Sequence, residues 1–332
     1  MRRQAEKDRF LAQIGWAQAK VTPLAGDASL RSYDRVETHG KRAVLMNAPP
    51  DHGESTDPFL RIARHLSVIG LHPPAILGED RTRGFLLLED LGDRLFAREF
   101  ERDPDLQHLY YTEALRALKT LHDHPAPELP GYGRAEMAQA AGLAATWYAG
   151  DPDAAVRLRK VMEEALATLD WSRHVPVLRD YHAENLIWYP EETGLRRVGL
   201  LDFQDAGLGH PVYDAASLLQ DARRDLDPDL VARLSADCWS WFAADRAAFT
   251  QAFAVLGAQR ALRILGVFAR LSLHFDKPRY VDLIPRVWGQ LQGNLDHPAL
   301  RRLADTTHAI LPEPSTAHLD DLKARAGSCP AL

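Results

Sequence analysis

Beyond Gly92 the hydrophobic pattern of this 332-residue chain changes from strand-length runs to helix-length ones, and that change limits the fold more than any other feature. Between residues 21 and 90 the apolar runs are short and separated by turn residues. LRSYDRVE and KRAVLMN read as neighbouring strands joined by the turn THG, after a polar turn at Gly26-Asp27-Ala28-Ser29. The stretch DPFLRIARHLSVIG places Phe59, Ile62, Ala63, Leu66 and Ile69 on one helical face, with Gly70 as its stop signal. PAILGED and GFLLLEDLGD complete this part, which a short amphipathic helix precedes. After it, LQHLYYTEALRALKTLH, AEMAQAAGLAATWYA and DAAVRLRKVMEEALATL are helical in length and period. The segment from Phe249 to Leu273 is apolar on all sides, as a helix running through a core must be. The pattern predicts an α+β chain. A small antiparallel-sheet lobe with one helix beside its sheet spans residues 1–90, and a large, mainly helical lobe spans 91–332. The tail from Leu311, with Pro312, Pro314 and Pro330, is expected to be a surface strap or to fray.

Charge and cysteine content narrow the function classes. A formal net charge of −6 gives no general attraction to a polyanion, and no long basic patch offsets it, so neither nucleic acid nor a membrane is expected as a partner. The opening MRRQAEKDRFLAQIGW has no continuous apolar core, and no run of about 18 uncharged apolar residues occurs, so a cytoplasmic location is expected. Cys238 and Cys329 have neither zinc spacing nor a partner pattern, and read as a buried side chain and a tail thiol.

Against this background VLRDYHAENLIWYP, residues 177–190, stands out. Two apolar runs enclose Asp180, His182, Glu184 and Asn185, a costly place for four polar side chains. Asp202 follows Asn185 by seventeen positions, at the end of the apolar run VGLL. Strands LIWYP and RRVGLLDF, turned at Glu191-Glu192-Thr193-Gly194, would bring Asn185 and Asp202 side by side. A carboxamide oxygen and a carboxylate are hard ligands that suit Mg²⁺, whose remaining shell comes from water and nucleotide phosphates. Asp180, five residues before Asn185, would then accept a proton from an attacking hydroxyl. This D-x-x-x-x-N, followed by a D-F pair, is the logic of a kinase catalytic loop and its metal aspartate.

LRDYHAENLIWY with LLDFQDAGLGHPVYDAASLL resembles the aminoglycoside phosphotransferase and choline kinase superfamily. GDASLRSYDRV, VLMNAPP and GVFARLSLHFDKPRY are similar to the bacterial anomeric sugar kinases that phosphorylate N-acetylmuramate and N-acetylglucosamine at the C1 hydroxyl. The resemblance implies a protein-kinase-like two-lobed fold and an ATP- and Mg²⁺-dependent kinase. It implies Asp180 as catalytic base, His182 as the loop histidine that helps hold the site, and Asn185 and Asp202 as metal ligands. Asp205 would support the loop or touch substrate, and Asp214 would brace the catalytic loop. Backbone groups of Leu88, Glu89 and Asp90 would meet the adenine edge. Its partner would be a small-molecule acceptor, an amino sugar, bound in the helical lobe by a monomer or weak homo-oligomer; Arg260, Arg263, Arg270 and Lys277 are candidate cations for a lactyl carboxylate.

Two positions depart from a general kinase pattern. Met46 stands where a phosphate-binding lysine would align, and Gly26 and Ser29 are left to do the work of a glycine-rich loop. Arg31 is the candidate substitute cation, although an exposed strand arginine is the commoner reading. FLRIARHL also offers no glutamate to such a lysine. Bland readings exist for the other positions: a polar turn for Asp180 and Asn185, a turn residue for Asp205, a helix N-cap for Asp214, and core packing for Trp239, Trp241, Phe242, Phe249 and Phe253. Two rival functions remain open, a kinase of the same fold acting on an amino alcohol or aminoglycoside, and a nucleotide-binding pseudokinase.

Overall fold

The computed structural model describes residues 2–24 and 31–329. The chain forms two compact units, one made of the residues up to 117 together with 183–205, the other of residues 118–182 together with 206–332. The chain therefore crosses between units inside the D-x-x-x-x-N segment itself, between His182 and Ala183.

The first unit begins with helix α1 (Arg2–Gln13) and strand β1 (Lys20–Pro23), followed by β2 (Ser32–Thr38) and β3 (Lys41–Asn47). The β2–β3 register runs from Thr38↔Lys41 to Ser32↔Asn47. His39 and Gly40 between them both have positive φ, 46° and 75°, as a two-residue primed turn requires. Helix α2 (Asp57–Val68) buries Phe59, Leu60, Ile62, Ala63 and Leu66 and stops before Gly70, whose φ is 82°. Strands β4 (Ile76–Asp80) and β5 (Phe85–Glu89) complete an antiparallel sheet of order β1-β2-β3-β5-β4 among the described residues. Period-two alternation decides its faces. Val36, Ala43, Leu45, Phe85 and Leu87 point to one side, where Phe10 and Leu11 of α1 cover them. Each of these side chains larger than alanine contributes about 1.5–3 kcal/mol on full burial. Met46 lies opposite Tyr33 in the register and takes the other face. Helix α3 (Phe96–Arg102) and the first part of α4 (Gln107–Asp123) belong to this unit as well.

The second unit is mainly helical. The single helix expected over AEMAQAAGLAATWYA is broken: α5 (Arg134–Ala141) gives way at Gly142 to a π-helical turn, Ala144–Tyr148. Packing explains the break. A Cβ on Gly266 would lie 2.3 Å from the Leu143 carbonyl carbon, so a later helix presses its backbone against this turn. The wider turn still buries Ala144, Ala145, Trp147 and Tyr148. Next come α6 (Ala154–Leu166), β6 (Val175–Val177), β7 (Leu186–Trp188), β8 (Val198–Leu200) and β9 (Gly207–Gly209). β6 pairs antiparallel with β9 in the second unit, whereas β7 pairs with β8 in the first.

Helices α7 (Tyr213–Leu219), α8 (Pro228–Phe242), α9 (Arg246–Leu273), α10 (Ile284–Leu295), α11 (Arg301–Ile310) and α12 (Thr316–Ala324) complete the unit. Among the described residues α9 is the one helix long and apolar enough to cross a membrane, but 78% of its apolar window is buried inside the protein, as in a core helix. Its buried polar residues have partners: Gln259 Nε2 donates to the Met137 carbonyl at 2.8 Å. The tail does not fray over its described length. It folds as α12 and docks on the end of α9, where Ser272 Oγ donates to Leu322 O and the Cys329 N–H donates to Leu273 O. Cys238 is buried, and both cysteines are free.

Candidate active site

The expected site residues fall into two groups, one in each unit. In the second, the chain leaves β6 at Val177 and turns sharply. The N–H groups of Leu178 and Arg179 donate to the two carboxylate oxygens of Asp214, at 2.5 and 2.9 Å. Arg179 has φ 71°, a left-handed conformation that costs a non-glycine residue roughly 1–2 kcal/mol. The surroundings hold it there. Its carbonyl accepts from Arg260 Nη1 at 2.9 Å and Ser217 Oγ at 3.4 Å, and its guanidinium lies 4.5 Å from the Tyr132 ring centre. Asp180 follows, its N–H donating to Leu178 O. Asp214 does not cap α7; it sits inside the first turn, fully buried, and spends both oxygens on the loop. Burial pushes its carboxyl up to about 6, against the two N–H bonds that favour the anion.

Asp180 has the opposite balance. Burial alone would raise its pKa, but Arg263, then His182, Arg260 and Arg179, outweigh that and hold the carboxyl below its usual range, ionised at neutral pH. Arg263 Nη1 lies 3.6 Å from Asp180 Oδ1, with side chains 16% and 34% exposed. Arg260 is committed to the Arg179 carbonyl and the Tyr213 hydroxyl, and Arg270 lies over Phe275. Of the four candidate acceptor cations, Arg263 forms an ion pair with Asp180. His182 is bonded to a side chain, Arg223, whose Nη1 lies 3.2 Å from Nε2. Since a guanidinium only donates, Nε2 accepts and carries no proton. Burial and Arg223, against Asp221, lower the imidazole pKa to about 4, so His182 is neutral at pH 7 and serves as a strut.

In the first unit, the β7–β8 register places Leu186 opposite Leu200, and the ladder continues with Leu201 N–H donating to Asn185 O at 2.9 Å. Asn185 and Asp202 are thereby neighbours. The connection is longer than the four-residue turn expected at 191–194: Tyr189 N–H bonds to Arg197 O, and a 3-10 turn, Gly194–Arg197, leads into β8. Asp202 has φ 56°, which Asp tolerates better than most residues, and its Oδ1 accepts from Gln204 Nε2 at 2.6 Å. Aromatic packing fixes the hairpin in its unit. Trp188 stacks on Tyr110 at 4.0 Å and Phe203 packs at a tilt against Phe59 at 4.8 Å, while Leu200 N–H donates to His72 O. Among the described residues no group of three or more His, Cys, Asp or Glu is arranged to hold a metal by itself. The pair of a carboxamide and a carboxylate fits a hard cation that draws the rest of its shell from water and phosphate.

Arg31, Tyr33 and Glu54 gather in the same unit. Arg31 Nε donates to Glu54 Oε2 at 2.7 Å, with the two side chains 12% and 17% exposed, so Arg31 is a largely buried paired cation instead of an exposed strand residue. Burial, then the charge of Asp202, push the Tyr33 hydroxyl up to about 12. Asp205 is among the acids acting on Arg31. Leu88 lies inside the sheet between Val44 and Ile76, and the Glu89 N–H is bonded to Ala75 O. Asp90 accepts from Gly92 N–H and pairs with Arg35 and Arg42. Gly26 and Ser29 lie outside the described residues. Glu54, Arg223 and Gln204 were not singled out from sequence; only Gln204, two residues after Asp202 in DFQD, lies close enough in the chain for local spacing to have found it.

Comparisons with known proteins bear on the family and the fold. Residues 20–246 match the family described as Phosphotransferase enzyme family. An N-acetylmuramate/N-acetylglucosamine kinase of Caulobacter vibrioides is 34% identical, with 91% of this chain and 94% of that one covered. A protein of the same name from Pseudomonas aeruginosa is 31% identical, with coverage of 85% and 86%. Among solved structures, a choline/ethanolamine kinase family protein from Mesorhizobium loti has a TM-score of 0.63 at 16% identity, covering 97% of this chain and 99% of that one. An aminoglycoside phosphotransferase from Streptomyces rimosus, in complex with ADP and streptomycin, has a TM-score of 0.56 at 18% identity, covering 79% and 98%. The likeness to these structures shows the protein-kinase-like α+β fold, and with the family match over residues 20–246 and the relatives that span most of its length, this chain belongs to the phosphotransferase enzyme family.

Proposed function

We propose that this phosphotransferase is an ATP-dependent sugar kinase that transfers the γ-phosphoryl group to the anomeric C1 hydroxyl of N-acetylmuramate or N-acetylglucosamine. The relatives that span most of the chain are named N-acetylmuramate/N-acetylglucosamine kinases, which supports the choice of sugar. Within the structure, the observation that carries the reading is the Asp180 carboxylate kept ionised against Arg263. A guanidinium beside a carboxylate weakens it as a base. An anomeric hydroxyl is more acidic than an ordinary alcohol, so a weakened base is enough for it. In this reading Asp180 orients the acceptor hydroxyl and takes its proton, and Asp214, Arg260 and Ser217 hold the loop that presents it. Asn185 and Asp202 would hold Mg²⁺, which supplies neutralising charge to the phosphates. The sheet-bearing N-terminal region takes the nucleotide. Backbone groups of Leu88 to Asp90 would meet the adenine edge, apart from the Glu89 N–H, which is bonded to Ala75 O. A soluble small-molecule kinase of this kind would work in the cytoplasm.

The test is nucleotide consumption by the purified protein with Mg-ATP and a panel of amino sugars, choline-like alcohols and aminoglycosides, with phosphorus NMR of the product. A C1 phosphate of N-acetylmuramate or N-acetylglucosamine is expected. Turnover of a different acceptor would keep the chemistry and discard the sugar; nucleotide binding without turnover of any acceptor would discard the kinase in favour of a pseudokinase.

A further inference from the structure

We propose that Arg31 and Glu54 form the phosphate-holding ion pair of this protein, with Glu54 as the positioning residue that aims the Arg31 guanidinium. The proposal rests on the nucleotide-binding part of the function above. It begins from a gap in the sheet. Met46 on β3 is fully buried and apolar, so the strand position from which a lysine would reach phosphates carries no charge. Helix α2 likewise has no glutamate to offer such a lysine.

The first unit fills both gaps from neighbouring positions. Arg31 immediately precedes β2, two residues before Tyr33, and Tyr33 is the register partner of Met46. Glu54 lies in the segment that leads into α2. The cation therefore comes from one strand over and the carboxylate from just ahead of the helix. Their 2.7 Å contact is largely shielded from water, which makes it stronger and more directional than a surface pair. A guanidinium has five N–H donors, and anchoring through Nε is compatible with phosphate bound through the Nη groups. The location is right as well. Asp202 acts on Tyr33, and Tyr33 and Asp205 act on Arg31, so through Tyr33 the pair neighbours one of the two residues assigned to the metal. A cation amid several acids has a further consequence: without Arg31, Glu54 becomes a bare negative charge beside the phosphate position.

That consequence separates positioning from mere stapling of two loops. Mg-ADP binding to the full-length protein, measured by titration calorimetry, reads the pair without any acceptor. Arg31→Ala is expected to weaken Mg-ADP binding by about tenfold or more, and Glu54→Gln by about tenfold, since each removes a charge-assisted hydrogen bond. In the Arg31→Ala background, Glu54→Gln should cause no further loss and should partly restore binding, because it removes the repelling acid. Glu54→Asp, which keeps the carboxylate, should fall between wild type and Glu54→Gln, and gives the same reading if Glu54→Gln folds poorly. Glu54→Gln that leaves Mg-ADP binding unchanged or tightens it in the wild-type background, or losses that add in the double variant, would overturn the proposal. Wild type that binds Mg-ADP but phosphorylates no sugar would sink the sugar-kinase reading and leave this one standing; failure of wild type to bind Mg-ADP at all would overturn both.

Discussion

The loop at residues 178–182 and the hairpin that carries Asn185 and Asp202 are adjacent in sequence, yet different forces shape them. The loop is held by side chains drawn from far along the chain: Asp214 on its N–H groups, Arg260 and Ser217 on its carbonyl, Arg263 on Asp180 and Arg223 on His182. The hairpin is held by a backbone ladder and by aromatic packing at Trp188 and Phe203. Both contain a non-glycine residue with positive φ, Arg179 in one and Asp202 in the other, so both hold local strain against their surroundings. The difference teaches where each region is vulnerable. A buried polar network fails when one member is removed, because its partners are left unsatisfied. A ladder packed by aromatics tolerates changes to the polar side chains at its end.

The largest expected effect breaks the chemistry. Asp180→Asn removes the proposed base while keeping its shape, and turnover should fall by about 10²–10⁴ with Mg-ADP affinity kept. Steady-state kinetics beside calorimetry check it, and unchanged turnover would remove Asp180 from its role. The second prediction tests the contrast itself. Asp214→Asn replaces two acceptor oxygens with one and turns an amide towards a backbone N–H, which should cost about 1.5–3 kcal/mol and lower the melting temperature by several degrees. Asp202→Asn, at the exposed end of the ladder, should stay within about 0.5 kcal/mol of wild type in stability. Equal melting temperatures for the two variants would erase the distinction. The pH dependence of Asp214 follows from its raised pKa. A folded value of about 6 against 3.8 unfolded means its contribution is complete below 3.8 and is lost as the pH rises through 6. The margin of wild type over Asp214→Asn should therefore be wider at pH 4 than at pH 7.

The smallest effect sharpens the comparison at Arg263. Arg263→Gln removes the main charge that holds the Asp180 carboxyl down, after burial which opposes it, so the acid limb of the kcat profile should move to higher pH. An acid limb that does not move would mean that another group sets it.

Much of this arrangement was legible before the fold. The THG turn, the strands at 32–47, the α2 face and the buried α9 follow from periodicity and turn chemistry, which act within a few residues. The junction of Asn185 and Asp202 was legible too, because two short apolar strands with one connection leave little choice of partner. The break at Gly142 was not, since the backbone it meets belongs to Gly266, more than a hundred residues on. Nor was the docking of the tail as α12, although its prolines mark the place where α11 ends.

By itself, then, the sequence determined where strands give way to helices and which residues have the chemistry of a base and of hard-metal ligands. Local pattern encodes backbone conformation and burial, and both are decided by near neighbours. Only the tertiary structure decided which charged partner each site residue faces. Arg263 for Asp180, Arg223 for His182 and Glu54 for Arg31 are pairs separated by 83, 41 and 23 positions, and each depends on which face of one element packs against another.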